Sequence, residues 1–313
     1  MKSGWQTMMA AGGLGAGLAT AEVTIQLDEQ RASIRYNGEE VALYRGEGRI
    51  PCIYPLLGPT GSNVTRHYPF QKEVAGEESD HPHHVSFWVA HGKVNGVDFW
   101  LDKEPANRIV HQGFTQTQSE SSGGKEMISF AVDLTWQSGE EVLLQEQRSY
   151  AFTFTEKTWL VDVTSRFMAP GEVVFGDTKE GSFAIRMTPS LRVKGEVAQG
   201  QMVDSEGRKN DDCWGQRSKW VAYHGPDAEG EDLVLALMDH RDNLRHPTWW
   251  HARDYGLLAA NPFGRHDFEG RRDEPQLGDF TLEKGETLTQ SYRLVLSAGT
   301  FDREQLGALW EKW

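Results

Sequence analysis

Alternation of apolar and polar residues constrains this chain more than any other feature. EVTIQLDEQRASIRYNGEEVALYR, from Glu22 to Arg45, alternates apolar and polar residues, with Asn37-Gly38 as a turn between two runs. Met127–Trp136 and Val142–Phe154 repeat the pattern on either side of a Ser138-Gly139 turn. TWLVDVTSRFMAP is a further alternating run that ends at Pro170. LVLALMD at 233–239 and QSYRLVLSAG at 290–299 complete the series. Side chains that point to opposite faces at every second residue belong to strands, not helices. Only DREQLGALWEKW, from Asp302, carries helical spacing, with Asp302 able to cap and Leu306, Leu309 and Trp310 sharing a face.

A dozen or more strands with little helix predict an all-β chain. No Pro/Gly/Ser tract, charge block or fixed-period repeat divides it, so residues 22–313 are expected to form one large antiparallel two-sheet supersandwich with a short C-terminal helix. A propeller is disfavoured because no blade repeat is present. Residues 1–21 stand apart. Lys2, the weakly apolar Met8–Leu18 and Ala19-Thr20-Ala21 match the three regions of an export signal, which implies a periplasmic or secreted protein. The alternative is a flexible tail on a cytoplasmic one.

The formal net charge of −14, with no Lys/Arg cluster, argues against nucleic acid and anionic membrane as partners. Past the N-terminus no run of 18 or more apolar residues offers a membrane-spanning helix. No nucleotide or flavin fingerprint is present, so a small molecule or oligosaccharide is the expected ligand. The eleven tryptophans suit either a packed core or sugar stacking. Cys52 and Cys213 could pair in an oxidising compartment, but two distant cysteines make no disulfide framework and no CxxC metal pattern.

The chemistry-bearing residues gather in segments that interrupt the strand pattern. SDHPHHVSFWVAHGKVNGVDFW holds four of the eleven histidines. Asp80–His84 contains a proline and suits a loop. His84 to His91 suits a strand buried on both faces, with His91 before Gly92 at its end, where a side chain can enter a cleft. Strict alternation separates His83 and His91 from His84, so these rings converge only if a bulge or loop intervenes. DHRDNLRHPTWWHARDYGLLAANPF, Asp239 to Phe263, is polar and irregular enough for a long loop over one face, and such loops often carry function. In GDTKEGSFAIRM, Lys179 and Glu180 precede a strand carrying Arg186. Here Glu180 is either half of an acid–base pair or part of a charged turn. Arg66, in GPTGSNVTRHYPF, either forks onto a ligand or braces its loop.

Taken together, YPLLGPTGSNVTRHYPF, DHPHHVSFWVAHGKVNGVDFW, DTKEGSFAIRM and RHPTWWHARDYGLLAANPFG resemble a bacterial family known as methane oxygenase PmoA, over roughly residues 40–300. The methane monooxygenase subunit of that name is an integral membrane protein. This chain has no such span, so the resemblance implies membership of a PmoA-like family, common in bacteria that degrade polysaccharides, rather than that activity. AHGKVNGVDFW is also similar to a stretch of galactose-mutarotase-like sugar enzymes. That second resemblance implies a large antiparallel supersandwich acting on sugars through histidine and a carboxylate. It makes His91 the sugar-contacting or acid histidine, with Glu180 as the candidate carboxylate. DHPHH and the missing late catalytic glutamate segment depart from that pattern.

These readings give a set of expectations. The chain is expected to act on a sugar or glycoside by histidine/carboxylate acid–base chemistry, as a hydrolase, lyase or epimerase. A non-catalytic carbohydrate-binding sandwich is the alternative. His84, His91, Glu180 and His251 are the expected catalytic residues. Arg66, His81, Lys179, His246, Trp249 and Trp250 are the expected substrate contacts, with a Trp stacking on the sugar face. Were a divalent metal used, to polarise a carbonyl, its candidate ligands are His81, His84, His91 and His246. No tight motif such as HExxH supports that ligand set.

Overall fold

The structure is a computed structural model that describes residues 22–101, 103–122 and 124–313 and the backbone of 6–8. The rest of the 1–21 segment, and with it the expected export signal, lies outside the described residues.

In chain order the first strands are β1 (Gln6–Met8), β2 (Val23–Leu27), β3 (Arg31–Tyr36), β4 (Glu39–Arg45), β5 (Cys52–Leu56) and β6 (Phe87–His91). Long strands follow: β7 (Asn107–Ser122), β8 (Lys125–Ser138), β9 (Glu141–Phe154) and β10 (Thr158–Met168). Then come β11 (Val173–Phe175), β12 (Gly181–Arg186), β13 (Gln201–Asp204), β14 (Trp220–Pro226), β15 (Asp232–Asp239), β16 (Trp249–Ala252) and β17 (Leu257–Asn261). A short helix α1 (Arg265–Phe268), strands β18 (Phe280–Leu282) and β19 (Thr287–Ala298), and helix α2 (Arg303–Glu311) close the chain.

Two antiparallel sheets form a sandwich. One has the order β1-β2-β3-β4-β5-β6-β12-β17-β16, the other β13-β14-β15-β19-β10-β9-β8-β7, and β11 and β18 make a small separate pair. The expected all-β sandwich with a short C-terminal helix is therefore present. The alternating runs supply the facing apolar surfaces. Phe183 of β12 stacks on Tyr292 of β19 across the gap at 4.6 Å, and Tyr44 of β4 meets Phe130 and Tyr150 of the opposite sheet at 5.6 and 5.7 Å. Outside the second sheet, α2 covers a smaller core of Trp220, Val295, Leu306 and Trp310. Asp302 caps α2 by accepting from the Glu304 and Gln305 amides, as its position predicted.

Two expectations are corrected. The Asp239–Phe263 stretch is not one long loop. It contains β16 and β17, joined by a four-residue hairpin loop at 253–256 in which Gly256 takes φ +89°. Arg and His crowding masked two four- to five-residue strands whose side chains are all buried. The His84–His91 strand starts only at Phe87, because Ser86 sits at φ +70°, outside the extended region. Cys52 and Cys213 are both buried and free, so they do not pair. Among the described residues no helix is long and apolar enough to cross a membrane.

Candidate functional site

Strand register decides which histidines reach a surface. In β6 the residues Phe87, Val89 and His91 share one face, and Phe87 packs edge-on against Phe183 in the core at 5.2 Å. His91 therefore points between the sheets and not into a cleft. Its Nε2–H donates to Gly176 O at 2.8 Å, and its Nδ1 lies 3.2 Å from Ser182 Oγ, which leaves neither nitrogen free. Burial pushes its pKa down to about 4. A Cβ at Gly181 would lie 2.4 Å from His91 Nδ1, so the glycine is there to admit the ring. The expected role of His91 as catalytic histidine or metal ligand is incompatible with this packing.

The opposite face of the same strands carries the polar cluster. Backbone bonds assemble it. The Arg66 amide donates to Arg186 O at 2.9 Å, the Arg186 amide to Ser86 O at 2.7 Å, and the Met187 amide to Gly256 O at 3.0 Å. These bonds bring the 63–70 loop, the 80–86 loop, the end of β12 and the 253–256 hairpin to one place.

At its centre lies Asp80. Arg66 Nη1–H donates to Asp80 Oδ1 at 2.6 Å, and Arg186 Nη2 lies 3.5 Å from the same oxygen. Asp80 Oδ2 meets His81 Nδ1 at 2.8 Å. Burial alone would raise the Asp80 carboxyl, but Arg186, His81 and Arg66 outweigh it and hold the pKa below the usual carboxylate range. Both guanidinia are buried, while the Asp80 and His81 side chains are 43% and 39% exposed. Burial lowers the Arg186 pKa to about 10, and the neighbouring Arg66 adds to the effect. His81 takes φ +45°, an uncommon backbone state for a side chain of its size.

Rings continue from there. His81 stacks on His84 at 4.8 Å and on Tyr255 at 5.5 Å, with interplanar angles of 16° in both pairs. Tyr255, at the tip of the β16–β17 hairpin, has Arg186 over its ring at 4.5 Å and Arg253 at 5.4 Å. His84 is buried against Trp88 and Trp100, and burial beside His83 and the two arginines drives its pKa far down. It stays neutral and acts as packing rather than as an exposed acid–base group.

Lys179, Glu180 and His251 form a second group. Lys179 Nζ pairs with Glu180 Oε1 at 3.0 Å. His251 Nδ1–H donates to Lys179 O at 3.0 Å, which leaves the lone pair on Nε2. Burial, with Arg253 and Lys179 adding to it, lowers its pKa to about 3. Glu180 and Arg186 lie at opposite ends of β12, about 20 Å apart along the strand at ~3.3 Å per residue. Tyr255 and Arg253 link the groups. Burial raises the Tyr255 hydroxyl pKa against the opposing pull of Arg253 and Arg186, with Glu180 and Asp80 adding smaller upward pushes, while Arg253 also pulls the His251 pKa down.

The remaining expected contacts lie elsewhere. His246 Nδ1 sits 2.7 Å from Asp239 Oδ2 and stacks on Trp310 of α2, so neither substrate contact nor a shared metal site with His81 fits it. Trp249 and Trp250 are buried. Trp249 lies under Arg217 at 4.5 Å, and Trp250 donates its indole N–H to Ser218 O. Neither can stack on a sugar. No Trp, Tyr or Phe is fully exposed among the described residues, and Tyr68, Trp214, Tyr255 and Trp313 are half-buried. Among the described residues no three His, Cys, Asp or Glu side chains are placed to hold one metal ion. The four candidate ligands are divided between core, helix contact and cluster.

Sequence reasoning missed the centrality of Asp80 and Tyr255. The signal for Tyr255 was a Tyr-Gly pair between two short apolar runs, WWHA and LLAAN, which is a hairpin tip.

The chain matches, over residues 27–311, the family described as "Family of unknown function (DUF6807)", and so belongs to it. No curated protein matches it. Among solved structures it is similar to the GH36 alpha-galactosidase AgaA from Geobacillus stearothermophilus, at 11% identity and a TM-score of 0.38 over 94% of this chain and 41% of that one. It is similar to the galactosidase domain of the alpha-galactosidase-sucrose kinase AgaSK at 10% identity and a TM-score of 0.38, over 88% and 40%. The chain thus spans about two fifths of the length of each.

Proposed function

We propose that this member of the DUF6807 family is an enzyme that acts on a sugar or glycoside by proton transfer, with His81 and Asp80 as its acid–base unit. The observation that carries the reading is the 2.8 Å contact between Asp80 Oδ2 and His81 Nδ1 on a half-exposed ring. A carboxylate 2.8 Å from one imidazole nitrogen, close but not aligned as a hydrogen bond, attracts that edge of the ring and leaves the other nitrogen to exchange a proton. Two buried guanidinia hold that carboxylate ionised. The Tyr255 hydroxyl is raised, remains protonated at neutral pH, and is suited to donate to a leaving or ring oxygen.

His81 thus replaces His91 and His84 in the catalytic role, while Glu180, Lys179 and His251 line the adjoining part of the same face. Hydroxyl-rich ligands suit a surface that presents a carboxylate, an imidazole, one phenol and the half-buried Arg253, with the Arg66 and Arg186 guanidinia buried behind them. Hydrolysis, β-elimination and epimerisation all use such a base and acid.

The test is turnover on a panel of native and 3-keto glycosides, with and without chelator, for wild type and His81→Ala. The variant is expected to lose about 100-fold or more in kcat with its thermal unfolding nearly unchanged. Wild-type kcat in His81→Ala would end this assignment. Tyr255→Phe is expected to lower kcat more than it raises KM.

A further inference from the structure

The cluster holds more positive charge than its own carboxylates balance. Arg66 and Arg186 share Asp80, and Arg192 pairs with Glu78. Arg253 has no ion pair among the described residues. Lys179 and Glu180 cancel, and Asp254 lies 3.8 Å from Lys194. Four guanidinia therefore face three carboxylates, Glu77 acting on Arg66 beside Asp80 and Glu78, in a chain whose net charge is −14. Buried cations are expensive unless paired, so such an excess calls for a further anion.

Hydrogen-bond donors give the same answer independently. Arg186 is 1% exposed, yet its Nε–H and Nη1–H have no hydrogen-bond partner among the described residues. Arg66 Nε–H and the indole N–H groups of Trp88 and Trp100 are buried and unpartnered too. His84 joins these groups. It touches Trp88 and Trp100 at ring distances of 5.5 and 5.9 Å, and Arg186 and Arg66 both depress its protonation. Stacking on Tyr255 engages the flat face of the Arg186 guanidinium and leaves its in-plane N–H groups unspent. Buried donors are normally satisfied, and their concentration beside surplus charge marks an acceptor site.

We infer that the ligand carries a carboxylate, and that the substrate class is an acidic sugar of the uronic acid type. Planar guanidinium and indole donors match a planar carboxylate, and Arg forks bind it in bidentate fashion. Half-buried Arg253 forms the lip of this cradle. Asp80, 43% exposed and 3.5 Å from Arg186, uses Arg186 Nη2 and would keep its contact with His81, while the incoming carboxylate takes the N–H groups of Arg186 that Asp80 leaves open. His81 then stands beside the carbon that bears the bound carboxylate. The inference rests on the sugar reading of the site and narrows it.

Calorimetric titration of the full chain with D-galacturonate and D-glucuronate, set against D-galactose, D-glucose and inorganic phosphate, tests it. One uronate is expected to bind at least about tenfold more tightly than its neutral counterpart. Arg253→Gln, a half-buried position that should fold, is expected to remove about that factor. Arg186→Gln is expected to do the same if it folds. Equal affinity for neutral and acidic sugars would overturn the carboxylate and leave the sugar reading standing. Phosphate binding without uronate binding, or uronate affinity untouched in Arg253→Gln, would overturn the inference as well. Loss of glycoside turnover in His81→Ala reads the proposed function separately from either result.

Discussion

Replacing Asp80 by Asn removes the one carboxylate that Arg66 and Arg186 share while keeping its shape. Arg66 retains the His81 and Glu78 carbonyls as acceptors, at 2.9 and 3.4 Å, but Arg186 loses the only ion pair it makes among the described residues. Breaking a fully buried pair costs about 3–5 kcal/mol, because a charge is left without compensation. Asp80 is 43% exposed, so water on its open side screens part of that loss, and about 1–3 kcal/mol is expected. Urea denaturation at pH 7 would read this as a lower midpoint at unchanged slope.

The pH dependence has a definite sign. The Asp80 pKa in the folded protein lies below its ordinary 3.8. Its stabilisation is complete above that ordinary value and is lost as pH falls through the folded one. The gap between wild type and Asp80→Asn should therefore be widest near neutrality and close in acid. Equal stability at pH 7, or a gap that stays constant into acid, would refute the account of Asp80 as counter-ion to both guanidinia.

Other expectations can be checked with the same protein. Glu146→Gln should cost about 3–5 kcal/mol in urea denaturation. It strips the bidentate partner, at 2.6 and 2.7 Å, from the fully buried Arg148 and weakens the acceptor of the Trp136 indole N–H. His91→Ala should lower stability by about 2–5 kcal/mol, yet leave turnover per folded molecule intact, measured as active fraction against kcat. The Cys52 and Cys213 thiols, both pushed up to about 12 chiefly by burial, should react with a thiol reagent only as fast as the chain unfolds.

Strands with one face on the core were legible, because burial on one side and solvent on the other write the period into the residues. Met127–Trp136 and Val142–Phe154 fall inside β8 and β9, and the Asn37-Gly38 turn joins β3 to β4. β7 was not, since the latter half of that sheet-edge strand is exposed on most residues and shows no apolar alternation. β16 and β17 were hidden for the opposite reason, being buried throughout.

The candidate site was legible only as a set of segments. Histidine density singled out 81–84, and the motifs around Arg66 and Arg253 were visible. Which ring faces the core depends on register against β12, where Gly181 pairs with His91, and no local pattern carries that information. Tyr255 gains its importance from Arg186 and His81, which lie about 70 and 170 positions earlier in the chain and are invisible to any local reading.

The main-chain bonds that join Arg66, Arg186, Ser86 and Gly256 have a consequence for how such a surface can change. They use amides and carbonyls that every residue except proline supplies in full, so these bonds do not depend on the side chains presented, although Arg66 adds a side-chain brace to the Glu78 and His81 carbonyls. Exchanging an imidazole or phenol there would change the chemistry presented while leaving those main-chain bonds in place. A library varied at a handful of positions could therefore yield folded proteins with new specificities, which a site braced only by its own side chains would rarely allow.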